Sequence, residues 1–129
     1  MLDLDYLLVD VFTDRPFGGS RLHVFPQGDG LSESLMQKLA QELGAGETAF
    51  MVPARVPGPD RRGLRVFTPA VEVPFGGHSV LGATFALDHL NLRDAVSSNL
   101  PFSWELDAGQ YEVNTFEDQG SKIYSLTQD

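Results

Sequence analysis

The sequence of 129 residues contains no cysteine. This absence excludes thiol catalysis, thiolate metal sites and disulfide frameworks. Positive charge is also scarce. The chain contains nine Lys and Arg but eighteen Asp and Glu, so its net charge is −9 at pH 7. Nucleic-acid-binding proteins are usually basic on at least one face, and no cluster of Lys and Arg occurs here. We therefore expect no nucleic-acid partner.

Long apolar runs are missing as well. None reaches the ~20 residues that a membrane span requires, and the N-terminus carries acidic residues where a signal peptide would be positive. We therefore expect a cytoplasmic protein with no membrane partner. With 42% hydrophobic residues, the chain can bury a core without disulfides or metal, and its length suits one domain over 1–129. The motifs GxSxG and GxGxxG and the P-loop do not occur.

Hydrophobic patterns predict the order strand, strand, helix, strand, strand, helix, and then three antiparallel strands separated by the turns DAG and EDQG. The first helix is predicted over 32–43, with Ser32 as N-cap, Gly44 as its stop and one apolar stripe. The second helix, over 79–90, is apolar on nearly every side, which predicts that the domain encloses it. The class is α+β, with a mixed, curled sheet around a buried central helix. Four other large residues are predicted to be core: Met36, Phe50, Met51 and Phe85.

The segment VPFGGHS, residues 73–79, precedes the enclosed helix and contains the only Gly-Gly-His in the chain. The first turn of a helix has unpaired N–H groups and a positive dipole end, and glycine lets a ligand approach the backbone closely. The amides of Gly77, His78 and Ser79, with the His78 ring, could therefore bind a carboxylate or phosphate. Alternatively, the two glycines only form a tight turn and His78 or Ser79 caps the helix.

Glu47 differs from the other carboxylates in its position, between Gly46 after the first helix and an apolar strand. A carboxylate at such a junction can be partly desolvated and act as a general acid or base, although a plain glutamate at a loop end is the alternative. The three histidines, at 23, 78 and 89, have no metal-ligand spacing, so we expect no metal site.

Three blocks, in order, resemble the phenazine-biosynthesis isomerase (PhzF) family: VDVFTDRPFGG with a following VF, GLSESLMQKLAQELGAGETAF, and FTPAVEVPFGGHSVLGA. They cover residues 9–83, and ELDAGQYEV with IYSLTQ weakly matches the end of the family's first domain. The resemblance implies a diaminopimelate-epimerase-like fold, in which two similar domains each curl a sheet around a central helix and share an active site. It also implies proton transfer without a cofactor on small carboxylate-bearing substrates.

The resemblance carries specific roles to residues of this chain. Glu47 matches the glutamate of the family's SET motif, which acts as general acid/base. His78 matches the histidine of the GHP motif, which helps to hold the substrate, and Gly77 matches the glycine before it. With Ser79 and Gly46, these are the expected substrate-binding residues. The lack of cysteine fits this family and counts against the related epimerases and racemases, which use a cysteine pair.

The sequence also departs from the family pattern. Gly46 replaces the family's serine, which removes a hydroxyl contact; GSR at 19–21 replaces GNP, and GHSV at 77–80 replaces GHPT. The chain resembles only the first domain, as a one-domain relative, half of a split protein or a truncated form would. We expect a proton-transfer isomerase whose site is completed in a homodimer, or in a heterodimer with a separate second-domain chain. The alternative is a binding or structural domain that kept the fold and lost the reaction.

Overall fold

The computed structural model describes residues 5–11, 20–44, 46–56, 58, 60–92 and 101–127. Its elements follow the predicted order, with one short extra strand. The helices are α1 (Glu33–Leu43) and α2 (Gly77–His89). The strands are β1 (Leu7–Val11), β2 (Ser20–Phe25), β3 (Glu47–Val52), β4 (Arg61–Phe67), β5 (Glu72–Val73), β6 (Phe102–Leu106), β7 (Gly109–Asp118) and β8 (Ser121–Thr127). Residues 12–19, including Gly19 of the GSR segment, and residues 93–100 lie outside the described residues.

The eight strands form one mixed sheet, as predicted, in the order β1-β2-β3-β4-β6-β7-β8, with β5 paired to β4. The pairs β2–β3 and β4–β6 are parallel, and the other pairs are antiparallel. Parallel neighbours require a crossover connection, and a helix supplies it each time: α1 for the first pair and α2 for the second. The predicted antiparallel arrangement of the last three strands is confirmed.

The inner face of the sheet packs on α2. Val80, Ala83 and Leu87 of the helix are fully buried, and both edge strands, β1 and β8, contact α2. The sheet therefore curls around the helix, which confirms the predicted central helix. The alternate residues of the strands supply the inner face, including Leu22, Val24, Ala49, Met51, Val66, Trp104 and Val113.

The first helix packs on the outer face of the sheet. Met36 and Ala40 are buried against a cluster that includes Phe50, whereas the rest of α1 is half-buried or exposed. Ser32 caps the helix as predicted, since its Oγ accepts a hydrogen bond from the Leu35 amide at 3.2 Å. Gly44 ends the helix with a φ of +79°, a conformation that favours glycine.

The prediction that Phe85 lies in the core is wrong. Its side chain is 42% exposed, and Leu81, one turn earlier, is only half-buried. The helix is apolar nearly all round, but the curled sheet covers only part of its circumference. The bounds of α2 also differ from the predicted 79–90, because the Gly76 carbonyl already accepts the Val80 amide at 3.0 Å and the helix begins at Gly77. Neither described helix has the length and apolarity of a membrane span.

Candidate active site at the start of α2

The register of β3 places Glu47 on the face of the sheet that packs against α2. Glu47 is the first residue of the strand and pairs with Leu22 of β2. Side chains of a strand alternate between its two faces, and Ala49 and Met51 point into the core around α2. Glu47 therefore lies on the same inner face, at the end of the core, where it is half-buried.

A short hydrogen bond joins Glu47 to α2. Ser79, in the first turn of the helix, donates its Oγ–H to Glu47 Oε1 at 2.6 Å. Ser79 is fully buried. This length is typical of a hydroxyl that donates to an ionised carboxylate, which is one of the stronger hydrogen bonds in proteins. The bond joins Glu47 and Ser79, which were predicted separately from the sequence to be site residues.

Gly76 provides the space for this contact. A Cβ atom at Gly76 would stand 2.9 Å from Glu47 Oε1 and 3.3 Å from Ser79 Oγ. Its backbone, with φ −149° and ψ 106°, is extended and open to any residue, so the requirement for glycine is one of space. From the sequence, this glycine was predicted either to form a tight turn or to let a ligand approach the backbone closely. No local pattern links it to Glu47, because the two residues meet only through the packing of α2 on β3.

Gly46 has two structural reasons to be glycine. Its φ is +92°, and a Cβ atom there would collide with the backbone carbonyl oxygen of Arg21 on β2. The family's serine would therefore require a shift of this backbone, which accounts for the departure at this position. Gly46 directs the chain into β3 and so sets the position of Glu47, and its contact with substrate stays a prediction.

The remaining predicted site residues, Gly77 and His78, lie in the first turn of α2, which also contains Ser79. His78 is exposed, and Gly77 is half-buried. The first intrahelical bond runs from the Val80 amide, so the amides of Gly77, His78 and Ser79 precede the hydrogen-bonded helix. The positive end of the helix already faces the Glu47 carboxylate. A second anion would have to bind on the exposed side, where His78 stands.

Other chemistry-bearing groups of the described chain lie elsewhere. No group of three or more His, Asp or Glu in the described ranges is arranged to hold a metal ion. A cavity of about 380 Å³ is lined by Arg65, Glu72 and their neighbours rather than by Glu47 or His78. Arg65 donates to Glu72 at 2.7 and 2.8 Å and lowers the pKa of that carboxyl. Glu72 thus belongs to an ion pair.

Comparison with known proteins places the whole described fold in one family. The sequence model of the phenazine biosynthesis-like proteins, PhzC-PhzF, matches residues 9–129. A protein of Pasteurella multocida described as an uncharacterized isomerase is 46% identical over 90 residues, which cover 69% of this chain and 31% of that protein. The trans-2,3-dihydro-3-hydroxyanthranilate isomerase of Pseudomonas aeruginosa is 34% identical over 111 residues, with coverage of 81% and 39%.

Solved structures agree with this assignment. The phenazine biosynthesis protein of the PhzF family from Bacillus anthracis matches with a TM-score of 0.82 and 27% identity, over 98% of this chain and 40% of that one. A probable proline racemase from Agrobacterium radiobacter shares the fold, with a TM-score of 0.65 at 18% identity, over 90% of this chain and 39% of that one. The chain therefore spans 31–40% of the length of these relatives. It belongs to the phenazine biosynthesis-like (PhzC/PhzF) family.

Proposed function

We propose that this chain supplies one half of a cofactor-independent proton-transfer isomerase that acts on a small carboxylate-bearing substrate. Glu47 is the acid/base, and the first turn of α2, with Gly77 and His78, binds the substrate anion. The observation that carries this proposal is the 2.6 Å bond between Ser79 Oγ and Glu47 Oε1, which holds the carboxylate at the mouth of the helix.

The chemistry requires only atoms that Glu47 and the substrate possess. The ionised carboxylate removes a proton from a substrate carbon, and the electron pair of the broken C–H bond forms a new double bond while an existing conjugated double bond of the substrate opens and carries its electron pair to another carbon. The proton then returns at another carbon, so the substrate is neither oxidised nor reduced and no cofactor takes part. General acid/base catalysis of this kind requires the carboxylate within hydrogen-bond reach of the proton that it moves.

The substrate's own carboxylate is the best candidate for the second anion at this site. The N–H groups of a first helical turn attract a negative group, and His78 is exposed in that turn. Glu47 lies on the inner side of the first turn of α2. An anion bound on the outer side would therefore have the Gly77–His78 turn between it and Glu47. This arrangement would hold a reacting carbon near Glu47.

We further propose that a second chain completes the site, either a second copy of this chain or a separate second-domain chain. The chain spans 40% of the length of the Bacillus anthracis structure that it matches. The exposed Phe85 and the half-buried Leu81 on α2 support this proposal, because exposed apolar side chains on one helix face favour association.

Hydrogen exchange into substrate tests the proposed reaction. The chain is incubated in D₂O with trans-2,3-dihydro-3-hydroxyanthranilate, the substrate in the name of the Pseudomonas aeruginosa relative, and deuterium incorporation is followed by NMR. We expect exchange that increases with protein concentration and falls by about 10²- to 10⁴-fold in Glu47→Gln. Glu42→Gln, which changes an exposed glutamate on α1, is the matched control and should exchange like the parent.

The rival function is a binding domain without catalysis. If the parent chain binds the substrate but neither isomerises it nor incorporates deuterium, alone at high concentration or with a second-domain chain, the binding function replaces the isomerase. If Glu47→Gln exchanges as fast as the parent, Glu47 is not the acid/base.

A further inference from the structure

We propose that Ser79 is a positioning residue for Glu47: it anchors Oε1 and leaves Oε2 as the oxygen that takes up and returns the proton. This inference rests on the proposed function and makes it more specific. The resemblance to the family implies that Ser79 binds substrate, whereas its buried hydroxyl donates to the proposed acid/base itself, at 2.6 Å.

The two ends of this bond are held independently. Glu47 is fixed by its pairing with Leu22 in the sheet, and Ser79 by the first turn of α2, where the Val80 amide bonds to Gly76. A glutamate side chain has three rotatable bonds, and ordering it costs conformational entropy that a hydrogen bond to a rigid element offsets. Because Ser79 is fully buried, water does not compete for its hydroxyl.

The surroundings distinguish the two carboxylate oxygens. Oε1 accepts from Ser79 and lies so close to the Gly76 backbone that a Cβ there would approach it to 2.9 Å. The Ser79 bond goes to Oε1 and not to Oε2. Oε1 is therefore enclosed by the helix, and Oε2 is the oxygen that remains for a proton in transit.

Loss of the anchor should affect the chemical step more than substrate binding. Without the Ser79 hydroxyl, Glu47 samples other rotamers, and a displacement of about 1 Å at a reacting group can lower the rate by about 10²-fold. The contacts proposed for the substrate, through Gly77 and His78, remain in place. The expected signature is therefore a lower kcat with little change in KM.

Three substitutions separate the hydroxyl from the volume of the side chain. Ser79→Ala removes the oxygen, Ser79→Cys keeps the bulk but offers a much weaker donor, and Ser79→Thr keeps the hydroxyl. With deuterium exchange as the assay, we expect kcat to fall by about 10- to 100-fold in the first two, with KM within about twofold, and to recover in Ser79→Thr. Ser125→Ala, on the exposed side of β8, is the control.

A readout independent of activity is a double-mutant cycle between Ser79→Ala and Glu47→Ala in urea unfolding, because alanine removes the acceptor that glutamine would keep. Direct contact predicts that the effects on the unfolding equilibrium constant are not additive, by about tenfold. An active parent whose kcat does not change in Ser79→Ala overturns the positioning role alone, and a rise in KM at constant kcat assigns Ser79 to substrate binding instead. An inactive parent that still shows coupling overturns both the proposed function and the positioning role, and leaves a structural contact.

Discussion

Gly76 lies directly against Glu47, and a Cβ atom added to this glycine would stand 2.9 Å from Oε1. Real Cβ atoms do not approach an oxygen that closely, so any side chain at this position must displace the carboxylate or the first turn of α2. The position of the Glu47 carboxylate therefore depends on residue 76, which is distant in the sequence, being glycine.

Gly76→Ala should therefore impair the site through steric contact alone. Its extended backbone accepts alanine without strain, so the cost falls on the Glu47 carboxylate, and overpacking of this kind costs about 1–3 kcal/mol. We expect a lower melting temperature and at least about a tenfold loss of deuterium exchange. Gly77→Ala is the stability control, because its Cβ would only meet the Phe75 ring at 3.7 Å, an ordinary contact. Identical melting of the two variants would contradict the close contact.

Substitutions along α2 should report how far the sheet covers it. Leu87 is fully buried, whereas Leu81 is half-buried near the open side of the helix. An unpaired charge in the core is very costly, so Leu87→Asp should abolish cooperative unfolding, and Leu81→Asp should lower stability much less. The milder Leu87→Ala should cost about 2–5 kcal/mol. Urea unfolding followed by circular dichroism measures these effects, and equal losses at both positions would show that α2 is enclosed on all sides.

The indole of Trp104 has a single buried partner that mutation can remove. Its Nε1–H donates to Thr84 Oγ1 at 2.9 Å, and the Thr84 hydroxyl in turn donates to the Val80 carbonyl of the preceding turn. Thr84→Val keeps the shape and leaves the indole N–H without an acceptor, which should cost about 1–3 kcal/mol. Thr84→Ser keeps the hydroxyl and should cost less. Tryptophan fluorescence during urea unfolding measures both, and the prediction fails if the serine variant is the less stable.

Stability should decrease on mild acidification because of His23. This residue is 8% exposed, its Nδ1 has no hydrogen-bond partner among the described residues, and burial, followed by the charge of Arg21, lowers its pKa below the ordinary 6.5. As the pH falls through 6.5, the unfolded chain takes up a proton at His23 that the folded chain does not. The free energy of unfolding should therefore decrease from pH 7.5 towards 5.5. In His23→Leu this slope should be smaller, and an unchanged slope would exclude His23 as its source.

Self-association should depend on the open side of α2. Phe85 is 42% exposed and meets the Tyr124 ring edge-on at 6.4 Å between centroids, which makes an apolar surface beside β8. We expect a homodimer by size exclusion with light scattering, and dissociation in Phe85→Ser. Phe116→Ser is the control, because this exposed residue of β7 lies on the outer face, opposite to Val113. A strict monomer at high micromolar concentration argues against self-assembly and favours a separate second-domain chain.

Local sequence patterns were enough to predict the elements and their class. The α1 cap at Ser32, its stop at Gly44 and the alternating strand FSWEL each depend on residues close together in the chain, where hydrogen-bonding and side-chain periodicity act directly. The apolarity of 79–90 likewise indicated the central helix. The short strand β5 escaped detection because its two residues are too few to form a pattern, and only their pairing with Val66 and Phe67 makes them a strand.

The arrangement of the site depended on the tertiary structure. Glu47 and the Gly-Gly-His segment were each recognisable in the sequence, but their contact requires β3 to lie in register beside β2 and α2 to pack across the inner face at one depth and rotation. The same rotation turns Leu87 inward and leaves Phe85 exposed, although both are apolar residues of one helix. A side chain's burial and partner are set by the sum of long-range packing contacts, and no short segment of sequence contains that sum.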